Sequence, residues 1–112
     1  MKTFLLVTCV AFAATTLSAA EWTGYLMDTM CAASRLDKAA SHTTECMKSC
    51  KQSGFGLVTK EGKYIKFNEA GNIKALNELE RTGKQDELLV KVSGDMKGNV
   101  ILVESVKTVE AP

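Results

Sequence analysis

Cys31, His42, Cys46 and Cys50 lie within one stretch, MCAASRLDKAASHTTECMKSC, which also holds the only histidine of the chain. Thiolate and imidazole are ligands for zinc and for cuprous copper. With Cys31 contributed from the preceding loop, the four have the composition of a Cys3His site. His42, Cys46 and Cys50 recur every four residues; on a helix each such step turns by about 40° and rises by about 6 Å. They therefore form one drifting stripe, with His42 and Cys50 about 12 Å apart along an unbroken helix. One ion reaches both only if the helix begins after His42; otherwise His42 with Cys46, or Cys46 with Cys50, is the realistic pair. Met27, Met30 and Met47 flank the stretch. Their thioethers extend the copper reading, although methionines in such settings more often pack a core.

The opening segment decides the redox setting. In MKTFLLVTCVAFAATTLSAA, Lys2 precedes an apolar run from Phe4 to Ala14, and Ser18, Ala19 and Ala20 end it. This pattern predicts a signal peptide over 1–20 and a mature chain beginning at Glu21, in the periplasm or outside the cell. The apolar run is too short for a membrane anchor. Loss of Lys2 leaves thirteen basic and thirteen acidic side chains among the 112 residues. A neutral chain has no electrostatic footprint for nucleic acid or for an anionic membrane. Cys9 leaves with the leader, so three cysteines remain, and in an exported protein the default for them is disulfide bonding. Joining Cys31 to Cys46 or Cys50 closes a loop of 15 to 19 residues, worth about 3 kcal/mol. Cys46 with Cys50 is also sterically possible. Three is odd, so one thiol is free, intermolecular or a ligand. Thiol-redox catalysis is the weakest reading, because CxxxC is not CxxC and no thioredoxin-like pattern surrounds it.

The elements that must position these residues follow from patterning. Glu21 to Asp28 reads as a strand, with Gly24 marking a bulge or a close backbone approach. Thr29 to Lys38 reads as irregular with a helical turn. Thr43 to Gln52 reads as a short helix, capped by Thr43 or Thr44 and ended at Ser53-Gly54. Phe55–Thr59 and Lys63–Asn68 form a hairpin around Lys60-Glu61-Gly62. A helix opens at Gly71-Asn72 with Ile73, Leu76 and Leu79 on its inner face, and Gly83 stops it. Glu87–Ser93 and Val100–Val109 are strands around a turn at Gly94–Asn99. The apolar run VILV implies burial on both faces or a bulge that switches them. One domain, 21–112, is expected: mainly β with two short helices, as a five-stranded OB-like barrel whose Cys/His insert spans about 29–53. An open antiparallel α+β sheet with both helices on one face is the alternative.

The combination of WTGYLMD, Cys31, His42, Cys46, Cys50, GFGLV, GKYIKF, AGN, LLVKVSGD and NVILVESVK resembles a family of small exported bacterial proteins with an OB-like domain. The resemblance spans nearly the whole mature chain. It implies that Cys31, His42, Cys46 and Cys50 belong to the family pattern, and it brings no activity with it.

Enzyme motifs are otherwise lacking. Ser41 and His42 are neighbours without a triad, GFG at Gly54–Gly56 is a strand entrance, and Asp28 and Asp37 show no pairing. Tyr25, Phe55, Tyr64 and Phe67 are too few and too core-like for a base-stacking platform. The expected function is a non-catalytic exported domain, stapled by a disulfide, for a small ligand or protein partner. The alternative is a periplasmic protein binding zinc or cuprous copper through the four Cys/His residues.

Overall fold

A computed structural model gives the fold and describes residues 19–109. The expected leader over 1–20, Cys9 included, lies outside them apart from Ala19 and Ala20. Among the described residues no helix is long and apolar enough to cross a membrane.

The first strand, β1 (Ala20–Asp28), is long enough to serve two neighbours. Its first half pairs antiparallel with β4 (Leu89–Lys97), and Tyr25–Asp28 pair antiparallel with β2 (Phe55–Val58). Gly24 sits at the handover. A Cβ there would lie 2.3 Å from the Val58 carbonyl oxygen, so of the two expectations for this glycine, close backbone approach holds. β2 continues antiparallel into β3 (Tyr64–Phe67), which runs parallel to β5 (Val100–Thr108). β5 returns antiparallel to β4, so the five strands close into a ring in the order β1-β2-β3-β5-β4. Closure and the parallel pair rule out the open antiparallel sheet.

Among the described residues three helices, not two, accompany the ring: α1 (Thr29–Arg35), α2 (Thr44–Ser49) and α3 (Glu69–Arg81). The additional one is α1, where an irregular stretch with a helical turn was expected; a 3-10 segment, Leu36–Ser41, follows it. α3 begins two residues earlier than its pattern suggested, because the Asn68 carboxamide oxygen accepts from Gly71 N at 3.0 Å and from Val103 N at 3.1 Å. Its buried face is Gly71, Ala75, Glu78 and Leu79, whereas Ile73 stands 60% exposed. The inner face is thus set by Gly71, where a Cβ would meet Val103 Cγ2 at 2.5 Å and hold the helix off β5.

The expected turn at Gly94 is a bulge instead. The β4–β5 register shifts between Ser93 and Gly94, which face Ser105 and Val103, and the chain turns only at Gly98-Asn99. The shift moves the buried side of β5 from Ile101 and Val103 to Val106, a bulge that switches faces rather than burial on both sides.

Two apolar clusters result. Leu26, Met47, Phe55, Leu57, Phe67, Leu79, Val90 and Ile101 fill the interior of the ring and its helical cover. Met27, Ala32, Ala39 and Val58 form a smaller cluster beneath the insert. A polar anchor in this interior is Glu78, buried on α3. Its Oε2 accepts from Thr108 N at 2.8 Å and from Thr108 Oγ1 at 2.5 Å, and Arg81 Nε donates to Oε1 at 3.0 Å. The guanidinium and these donors hold its carboxyl down at about 2, against an ordinary 4.5. The pKa is lowered in the folded state, so the stabilisation is complete above about pH 4.5 and falls away as pH drops towards 2. In urea titrations from pH 5 to 2.5, the wild type should lose stability over this window, and Glu78→Gln should flatten that part of the profile. Gly24→Ala should destabilise by about 1–3 kcal/mol, because its obstacle is backbone and cannot rotate away.

Candidate functional site

The site starts from one short carboxylate at the end of β1. Asp28 is fully buried, and a bare carboxylate there would cost several kcal/mol without donors. Donors from Cys31 and His42 reach it. Cys31 N donates to Oδ2 at 2.9 Å, which makes Asp28 the N-cap of α1, and His42 Nε2 lies 2.8 Å from Oδ1. The other leading amides of α1 are also satisfied: Thr29 N donates to the Gly54 carbonyl at 2.9 Å and Met30 N to Ser53 Oγ at 3.0 Å. Tyr64 closes this corner, its hydroxyl donating to the Met27 carbonyl at 3.1 Å and lying 2.9 Å from Thr29 Oγ1. Burial pushes the Tyr64 hydroxyl pKa well above its ordinary value.

Cys31 rides on the first turn of α1, while Cys50 forms the C-cap of α2. One donor atom each from Asp28, Cys31 and Cys50 lies within 4.8 Å of the other two. Both are half-buried free thiols, near one another but not at disulfide distance. Burial first, then the nearby Asp28 carboxylate and the Cys50 thiol, push the Cys31 thiol up to about 11.

The four residues singled out by spacing are therefore divided. Cys31 and Cys50 come together with Asp28, and His42 and Cys46 stand outside that group. α2 begins after His42, as a shared site would require, yet the imidazole turns to Asp28 and the Cys46 thiol is exposed. The Cys46 backbone N–H donates to the capping Thr43 hydroxyl at 3.1 Å. A shallow pocket of about 150 Å³ lies between Cys46, His42, Arg35 and Lys38. Met27 and Met47 are wholly buried in the two cores, which leaves Met30 as the exposed thioether of the three. Asp28 is the residue that spacing missed. The signal for it was capping chemistry: an aspartate directly before a helical turn, with the amide three residues on as its donor.

Comparison with protein-family models, with curated proteins and with solved structures gives no match to this chain.

In the reduced protein at pH 8, iodoacetamide should label Cys46 first. A thiol pKa near 11 instead of 9.0 should slow Cys31 about tenfold relative to an unperturbed thiol, the smaller thiolate fraction being partly offset by greater thiolate nucleophilicity, read by peptide mass. His42→Ala should cost about 3 kcal/mol in urea denaturation at pH 7, since it strips the buried Asp28 carboxylate of its imidazole partner.

Proposed function

We propose that the chain is an exported OB-like barrel that acts as a non-catalytic binding domain, its helical insert shut by a Cys31–Cys50 disulfide. The observation that carries the reading is the juxtaposition of those two half-buried thiols at opposite ends of the insert. The strand order, with β3 parallel to β5 and α3 between β3 and β4, supports the OB assignment. Forming the bond takes two protons and two electrons from the thiols, which pass to an external disulfide of a thiol-oxidising system. Cys46 is then the odd thiol, free and exposed. The chain's one histidine is buried against Asp28, which supports a structural rather than a catalytic role for it. A small ligand or a protein partner occupies the domain; a groove of about 350 Å³ opens where β1 passes from β2 to β4, beside Tyr25, Val58, Lys60 and Leu89. Nucleic acid and membrane are not its partners, in keeping with the neutral charge after leader removal.

Intact mass spectrometry of the protein recovered from the exported fraction, alkylated without reductant, tests this. The expected species starts at Glu21, is two hydrogens light, and carries one alkyl group, on Cys46. Three alkylated thiols would overturn the staple. Reduction of the bond should lower stability by about 3 kcal/mol, whereas Cys46→Ser should leave it unchanged.

A further inference from the structure

We infer that, when Cys31 and Cys50 are reduced, Asp28, Cys31 and Cys50 form a binding site for one divalent borderline-soft metal ion, zinc above all. This does not rest on the staple: the disulfide and the metal compete for the same two sulfur atoms, and each can fail alone.

The argument starts from placement. The three donor atoms lie within 4.8 Å of one another. A tetrahedral ion with bonds of 2.0–2.3 Å sets its ligands about 3.3–3.8 Å apart, so small side-chain rotations suffice. The donors come from three different elements: the end of β1, the first turn of α1 and the C-cap of α2. Their mutual position is therefore held by the fold and not by one flexible loop. Asp28 is further fixed by its own hydrogen bonds, Oδ1 to His42 and Oδ2 to Cys31 N. Outer hydrogen bonds of this kind orient a ligand and raise metal affinity, so His42 is a positioning residue here. Half-exposure of both thiols provides the entry path.

Donor chemistry selects the ion. Two thiolates disfavour magnesium and calcium, and a carboxylate is a poor partner for cuprous copper, which leaves zinc as the best match. Binding converts two thiols to thiolates: two metal–sulfur bonds form, two S–H bonds break, and the protons pass to the buffer. Three protein ligands leave the fourth position for water or an added ligand. Cys46 is not part of this set, which separates it from a site built on the CxxxC spacing.

The exported protein, reduced with a phosphine under anaerobic conditions, is titrated with cobalt(II) and then with zinc. One cobalt per chain should bind, with a near-ultraviolet thiolate-to-metal charge-transfer band that zinc abolishes. Cys31→Ser and Cys50→Ser should each remove or halve the band. Asp28→Asn, which keeps an acceptor for the helix cap, should weaken binding at least tenfold. His42→Ala should weaken it about tenfold with the band retained, and Cys46→Ser should change nothing. A second measurement needs no variant: zinc should protect Cys31 and Cys50, but not Cys46, from alkylation in the wild-type protein. Absence of the band, or a band lost with Cys46→Ser and kept with Cys31→Ser, would overturn the site, as would equal protection of all three cysteines. None of these results bears on whether the protein is isolated with its disulfide formed.

Discussion

A carboxylate shut away from water must be given donors, and the insert is built to supply them to Asp28. Its two oxygens are served from opposite sides, by the first turn of α1 and by a histidine fourteen residues away in sequence. The first contact makes the helix start directly at the end of β1, without an intervening loop. The second obliges the chain to return, through the 3-10 segment Leu36–Ser41, before α2 can begin. Inside a protein such bonds are strong and their absence is costly, so the path of the insert depends on this one anion.

The same strand explains why the protein has two apolar clusters. Leu26 and Met27 are adjacent and both fully buried, yet Leu26 belongs to the interior of the ring and Met27 to the layer under the insert. Alternation along a strand places neighbours on opposite faces, so burial of both requires cover on both sides. The insert is that outer cover. On α3 Glu78 repeats the device with different donors, tying the helix to the end of β5 through Thr108. Thr44 adds a further tie, its backbone N–H donating to the Gln85 carbonyl at 2.8 Å and its hydroxyl to the Lys84 carbonyl at 3.0 Å.

The chemistry of the three cysteines follows from where these constraints leave them. Cys31 and Cys50 are drawn towards Asp28, and burial beside that carboxylate favours the neutral thiol of Cys31 and suppresses its nucleophilic attack. Such a pair suits a bond between the sulfurs or a shared cation, either of which removes the thiol proton. Cys46, on the exposed face of α2, is left to solvent beside Arg35 and Lys38. The equal spacing of His42, Cys46 and Cys50 along the chain thus yields unequal neighbours.

Local signals in the sequence determined much of the framework. Alternation marked the strands, Gly62 closed the hairpin at φ +81°, a cap for α2 was expected at Thr43 or Thr44 and falls on Thr43, and Gly24 announced a bulge or a close backbone approach, of which the approach holds. These are effects of a few neighbouring residues, and they are legible without the fold. The inner face of α3 was not: periodicity favoured Ile73, but contact with β5 admits only a glycine at position 71, and that rotates Glu78 inwards. Nor was the continuation of β4 past Gly94, because a bulge is defined by its partner strand. The membership of the site also came from tertiary structure. Sequence proposed Cys31, His42, Cys46 and Cys50 as a set, with His42 and Cys46 or Cys46 and Cys50 as the realistic helical pair, and it had no means to weigh Asp28. Only the closing of the ring and the folding of the insert over β1 bury that carboxylate, and burial is what makes it claim His42 and gather Cys31 and Cys50 beside it.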